Sequence, residues 1–176
     1  MSSRIPYLDI LKGFGIVFVV FGHVTHNHIL REYIWNFHMP LFFFISGILY
    51  NSNIVFKEFL KKRIKSIYIP YILFFGITFL YWLIIERHAR GAEYSIWHQL
   101  IGLPYGTYEG HHLNFNGALW FLPCLFITEL LFYPIAKTSN KISIISFLLL
   151  SYAIGSLLRI NNINYLPFGL HTAFLH

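Results

Sequence analysis

KGFGIVFVVFGHV, the stretch from Lys12 to Val24, shows what kind of structure this chain forms. With the residues from Leu8 onward it makes an apolar run nearly long enough to cross about 30 Å of hydrocarbon as a helix. It nevertheless carries a lysine at one end and a histidine near the other. Ionisable side chains in such runs are costly, so by default they mark a functional site.

The composition of the whole chain has the same apolar character. Of its 176 residues 56% are hydrophobic and 11% are charged, whereas about a quarter of the residues of a soluble domain are charged. The net charge of +6 does not indicate a nucleic-acid partner, because a lipid bilayer explains where the basic residues lie. Cys124 is the one cysteine of the sequence, which excludes an intrachain disulfide and a thiolate metal cluster.

Five apolar stretches predict membrane-spanning helices, and a sixth begins near Asn164. They are Leu8–Val24, Tyr33–Tyr50, Ile67–Ile85, Gly117–Ala136 and Ile142–Leu158. Helices satisfy their own backbone polar groups in lipid, and the stretches lack the alternation of barrel strands. We therefore predict an all-α, polytopic transmembrane bundle of five full helices plus the start of a sixth. Since the sequence ends inside an apolar segment, we expect a truncated chain.

The distribution of basic residues predicts the orientation of this bundle. Nine of them fall on one side of the membrane if the N-terminus is cytoplasmic, and four fall on the other, which is a positive-inside bias. The nine are Arg4, Lys12, Lys57, Lys61, Lys62, Arg63, Lys65, Lys137 and Lys141, and the four are Arg31, Arg87, Arg90 and Arg159. Phe56–Ser66 is then a cytoplasmic loop or interfacial helix that anchors the topology. Glu86–Asn116 is an outer polar loop, either a binding segment or a connector.

The first helix carries its polar residues on one stripe. Lys12 and His23 are eleven residues apart, which returns them to within about 20° of the same helix face with a rise of about 16 Å. Asp9 and His26 lie within about 60° of that line. Lys12 can be explained by snorkelling to the cytoplasmic interface beside Asp9, and His23 by a hydrogen bond between helices.

Three polar or aromatic residues of later helices are also candidates. His38 and His23 both lie about five residues from the outer helix ends, so we expect their side chains to approach within hydrogen-bonding or one-water distance. His38 beside Pro40 can alternatively serve a kink. Glu129 is an ionisable residue inside the fourth stretch, and Trp120 suits an interfacial aromatic belt. We predict no metal, because the histidines lack a spaced set of partners.

Four blocks of the sequence resemble the acyltransferase-3 family of membrane acyltransferases. They are RIPYLDILKGFGIVFVVFGH at 4–23, FHMPLFFFISG at 37–47, KKRIKSIYIPYILF at 61–74 and ALWFLPCLFITELLFY at 118–133. The first contains a basic residue and a histidine separated by ten residues, here Lys12 and His23, although many members have arginine at the basic position. The order and spacing of the blocks match across nearly the whole chain, with the strongest likeness to the fucose 4-O-acetylase-like branch.

The resemblance implies an acyl-CoA donor and a carbohydrate acceptor. Residues 1–176 would be the N-terminal half of a domain of about ten transmembrane helices in the bacterial inner membrane. The donor would be acetyl-CoA, and the acceptor a sugar hydroxyl of lipopolysaccharide, capsule or exopolysaccharide. Neither a metal nor a nucleic acid is implied.

Combined with residue chemistry, the resemblance assigns roles to the candidates. His23 would be the general base, and His38 would orient it or the thioester carbonyl. Lys12 would bind the donor phosphates, with Arg63 and Lys65 as further candidates. Glu129 would balance buried cations, and Asp9 would partner Lys12. Two other interpretations remain open at this point: a transporter or flippase for a glycan or a lipid-linked sugar, and an inactive truncated remnant.

Overall fold

Every regular element in the described part of the chain is a helix. The computed structural model describes residues 5–50, 53–90, 95–106, 112–138, 140–163 and 166–169, and these divide into two compact units, residues 1–51 and 52–176. The prediction of an all-α membrane bundle is confirmed. Among the described helices, four are long and apolar enough to cross a membrane: Pro6–Val24, Phe56–Ala89, Gly117–Ala136 and Lys141–Ile160.

The first unit is a pair of helices, α1 (Pro6–Val24) and α2 (His28–Ile48). Proline starts α1, where its missing N–H costs nothing. Asn27 caps α2 by accepting a hydrogen bond of 3.1 Å from the backbone N–H of Leu30. The three-residue link between the two helices turns the chain back on itself, so that α1 and α2 form an antiparallel hairpin.

Two glycines of α1 bring the helices of this hairpin together. A Cβ added to Gly15 would lie 2.9 Å from the ring of Phe42, and one added to Gly22 would lie 2.9 Å from Ile34 and 3.2 Å from Trp35. Small residues are the usual means of close helix packing in lipid, where no hydrophobic force drives helices together. The positions of these glycines therefore determine which side chains of α2 contact α1.

The second unit begins with one long helical rod and continues through shorter elements. In chain order the elements are α3 (Phe56–Arg63), a π-helical turn (Ile64–Tyr68), α4 (Ile69–Tyr81), a second π-helical turn (Trp82–Glu86), α5 (Arg87–Arg90), α6 (Ile96–Tyr105), a 3-10 turn (Gly117–Trp120), α7 (Phe121–Ala136), α8 (Lys141–Ile160) and a 3-10 turn (Pro167–Gly169). π-helical turns inside α-helices are rare and are often found at functional sites.

The core of the second unit forms around Tyr71. Its ring packs with the buried residues Phe75, Leu113 and Leu119, and its hydroxyl donates a hydrogen bond of 2.8 Å to the carbonyl of Leu103 in α6. This bond anchors α6 to α4. Gln99 of α6 is also fully buried and accepts a hydrogen bond from the backbone N–H of Asn114.

Several predicted boundaries differ from the structure. The third helix begins at Phe56 rather than Ile67, because the basic segment continues into the rod without a break. The polar segment 86–116 contains α6. The sequence pattern does not predict this helix, because a hydrogen bond from Tyr71, a residue distant in sequence, stabilises it. α2 has the length of a span but is not among the four apolar candidates, consistent with the charged and polar residues near its start. The predicted sixth helix lies mostly outside the described residues.

Gly102 gives a test of this packing. A Cβ there would collide with the carbonyl oxygen of His112, a backbone atom that cannot rotate away, whereas a Cβ added to Gly76 would meet no described neighbour within 4 Å. We expect Gly102→Ala to lower the free energy of unfolding by about 1–3 kcal/mol or more, as overpacking does. Gly76→Ala should be neutral or stabilising by up to about 1 kcal/mol. Denaturant unfolding in detergent measures both, and equal stabilities would contradict the packing.

Candidate active site

Lys12 and His23 lie on the same side of α1, at the edge of its contact with α2. The helix is unbroken from Pro6 to Val24, so the angular relation derived from the sequence applies to the folded chain. The buried residues Leu8, Gly15 and Gly22 mark the face toward α2. Lys12 and His23 are rotated from the centre of that face by about 60° and 80°. Both therefore lie on one flank of the helix pair rather than in its seam.

The charge of Lys12 is compensated within its own helix. Its ammonium lies 3.7 Å from the carboxylate of Asp9, one turn earlier, and both side chains are about two-fifths exposed. An ion pair as exposed as this one holds its partners weakly. Lys12 can therefore exchange Asp9 for another anion at low energetic cost.

The imidazole of His23 is exposed and rests against α2 through one aromatic contact. Its ring centroid lies 6.0 Å from that of Trp35, with the planes tilted by 50°. Gly22, the preceding residue, leaves the space that the indole occupies. The imidazole is therefore accessible to a substrate, while its contact with the indole restricts its orientation.

His38 is buried at the centre of the α1–α2 seam, with 4% of its surface exposed. Its Nδ1 lies 2.6 Å from the carbonyl oxygen of Ile34. A carbonyl oxygen only accepts, so Nδ1 is the donor in this hydrogen bond. No direct hydrogen bond joins His38 to His23 in this described hairpin, so the predicted approach of the two side chains within one-water distance stays a prediction.

Glu129 and Arg63 form the buried ion pair of the second unit. Arg63 Nε lies 2.5 Å from Glu129 Oε2, and Glu129 is only 5% exposed. The guanidinium also lies over the ring of Phe59, 5.3 Å from its centroid. Arg63 is thus engaged by a carboxylate and an aromatic ring, which leaves less of it for a donor phosphate.

The other two sequence candidates of the second unit have simpler surroundings. Lys65 is exposed in the first π-helical turn and is accessible to an anion. Trp120 is partly buried against the Tyr71 core, with its ring 6.2 Å from that of Phe121. Within the described ranges no group of three or more His, Cys, Asp or Glu side chains is placed to hold a metal ion.

Trp35 and Arg31 were not predicted as site residues from the sequence. Arg31 lies 5.2 Å over the ring of Trp35, the same ring that contacts His23. The available signal was the i, i+4 spacing of the two residues in the first turns of α2, which places neighbouring side chains on one helix face. From the sequence, Arg31 was used only to predict the orientation of the helices in the membrane.

The acyltransferase domain model Acyl_transf_3 matches residues 5–175. Neither a curated protein nor a solved structure matches the chain significantly. The match and the apolar helices together indicate an integral membrane protein.

The Arg63–Glu129 pair predicts a characteristic pattern of stability. Glu129→Leu alone should lower the free energy of unfolding by about 3–5 kcal/mol, because it leaves a buried guanidinium uncompensated. The double variant Arg63→Met, Glu129→Leu should recover most of that loss, since two apolar side chains replace the pair. Denaturant unfolding in detergent measures the free energy of unfolding of the wild type and of both variants. A double variant no more stable than Glu129→Leu would contradict an energetic coupling between Arg63 and Glu129.

Proposed function

The chain belongs to the acyltransferase-3 family, and on that premise we propose that it transfers an acyl group from acyl-CoA to a hydroxyl group of a carbohydrate. The membership makes it a membrane acyltransferase. The proposal adds acetyl-CoA as donor and a sugar of a surface or secreted glycan as acceptor, as in the fucose 4-O-acetylase-like branch. It also adds the bacterial inner membrane as the location, where cytosolic donor and outer acceptor are separated by one bilayer.

The observation that carries this proposal is the shared flank of Lys12 and His23 on an unbroken helix. The two side chains are separated along the axis by about 16 Å. The phosphates of CoA cannot enter hydrocarbon cheaply, whereas the narrow pantetheine arm can lie along a helix flank. A cation at one end and an imidazole at the other therefore suit a donor that is anionic at one end and reactive at the other.

The proposed reaction is a direct acyl transfer. Neutral His23 accepts the proton of the sugar hydroxyl as its oxygen attacks the thioester carbonyl. The new carbon–oxygen bond forms, the carbon–sulfur bond breaks, and the CoA thiolate that leaves takes the proton from the imidazolium. General-base assistance of this kind contributes about 10²- to 10⁴-fold to the rate.

We assign His38 a supporting role in this step. Its Nδ1–H is committed to the Ile34 carbonyl, which fixes the tautomer and the ring orientation. Its burial in the seam supports a residue that holds the hairpin geometry around His23, through a water molecule or by packing, rather than one that meets the acceptor itself.

Radiolabelled acetyl-CoA incubated with membranes that contain the chain tests the function. We expect label on extracellular polysaccharide or lipopolysaccharide together with release of free CoA. Movement of glycan across the membrane without thioester cleavage would contradict the proposal and would favour a transporter.

His23 gives the test of the base. His23→Ala should reduce label transfer by about 10²-fold or more while the protein remains in the membrane. His26→Ala is the matched control, because His26 is an exposed histidine of the α1–α2 link with no assigned role. Transfer by His23→Ala at the wild-type rate would exclude the base assignment.

Lys12 gives the test of the donor site. Lys12→Glu should raise the KM for acetyl-CoA by about tenfold or more and change kcat little, since a charge-assisted contact to phosphate contributes roughly 1.5–3 kcal/mol. Lys141→Glu, which reverses an exposed lysine on the same predicted side of the membrane, serves as control. An unchanged KM in Lys12→Glu would remove the phosphate-binding role.

A further inference from the structure

Arg31 is held in an unusual environment near the start of α2. Its guanidinium carbon lies 5.2 Å from the centroid of the Trp35 ring, and Nη2 lies 2.9 Å from Nδ1 of His28. Nε is buried and has no hydrogen-bond partner among the described residues. The side chain is therefore folded onto the hairpin instead of extending into solvent.

Arg31 has no carboxylate partner among the residues that the structure describes. Its guanidinium is hydrogen-bonded instead to a ring nitrogen of His28. A partly buried cation without a counterion is destabilising. An ionisable side chain at a membrane helix is by default a candidate functional group, and a guanidinium is suited to bind an anion.

The position of Arg31 relative to His23 suggests which anion this is. Both side chains contact the same indole: the guanidinium lies over the Trp35 ring, and the imidazole lies 6.0 Å from its centroid. Trp35 is 45% exposed, so part of the indole is open to a ligand. A molecule that presents a hydroxyl to His23 thus has an aromatic surface and a guanidinium beside it.

A second arginine–tryptophan pair in the chain lacks this context. Arg87 lies 5.8 Å over the ring of Trp82, but the ring neighbours of Trp82 are Phe79 and Phe115. Arg87 falls on the same predicted side of the membrane as Arg31. It provides an internal control with the same cation–aromatic contact and no candidate base on the shared ring.

We propose that Arg31 and Trp35 form the acceptor subsite and that the acceptor is an acidic glycan, whose carboxylate or phosphate pairs with Arg31. This proposal rests on the proposed function, because it takes His23 as the group that meets the acceptor hydroxyl. The guanidinium provides the planar set of N–H donors that matches a carboxylate or phosphate. The donor phosphates are assigned to Lys12 at the opposite end of α1, so the two anions do not compete for one cation.

Binding without a donor tests the proposal. The purified full chain in phosphatidylcholine nanodiscs is titrated with oligogalacturonate and with its methyl ester, which carries the same sugar without the charge. We expect the acid to bind about tenfold more tightly than the ester, inorganic phosphate to compete with it, and Arg31→Gln to abolish the difference. Arg31→Lys should keep part of the preference, and Arg87→Gln all of it.

Several results would overturn the proposal. They are a wild-type chain that binds acid and ester equally or not at all, a preference that survives Arg31→Gln, and a preference lost equally in Arg87→Gln. If anionic phosphatidylglycerol in the nanodiscs displaces oligogalacturonate from the wild type as effectively as phosphate does, Arg31 binds a lipid headgroup and the acceptor assignment fails. Because no acyl donor is present, an inactive enzyme leaves these outcomes unaffected, so the proposed function is judged separately.

Discussion

The contact between α1 and α2 at Gly15 and Gly22 is the constraint on which the candidate site depends. With no side chain at these positions, Phe42, Ile34 and Trp35 pack directly against the α1 backbone. This packing buries His38 in the seam and brings the Trp35 indole beside His23. No hydrophobic effect drives helices together inside a bilayer, because lipid tails are as apolar as the side chains. Close packing of the helix backbones is therefore a principal source of helix association. A larger residue at Gly22 would therefore displace Trp35, which contacts His23, without changing a charged residue of the site.

The two histidines of the hairpin differ in what the fold provides for them. His38 is buried and its tautomer is fixed by the Ile34 carbonyl, which suits a positioning role. His23 is exposed and touches one ring, which suits a group that meets a substrate. The cations show a similar division: Arg63 is paired with buried Glu129, whereas Lys12 has a weak, exposed partner and Arg31 has no carboxylate partner in the described part of the chain. The fold thus separates charges that are paired with each other from charges that are accessible to ligands.

The sequence predicts those features that arise from local periodicity. The apolar runs predict the helices, and the spacing of Lys12 and His23 predicts their shared side because both lie on one continuous helix. It does not predict features that depend on distant partners. Glu129 meets Arg63 from another helix, α6 is stabilised by Tyr71 of α4, and Trp35 reaches His23 only because Gly22 leaves room. No spacing rule within one helix carries this information, so the roles of Arg63 and Trp35 needed the three-dimensional structure.

The most direct test of the central claim, that a donor lies along α1 between Lys12 and His23, is photoaffinity labelling with an acyl-CoA that carries a diazirine on its acyl group. The label should be found by mass spectrometry on peptides around His23 and Trp35, and free CoA should prevent it. Lys12→Glu should reduce the labelling at low probe concentration. Label that appears on α8 instead, or that excess CoA leaves unchanged, would contradict the account.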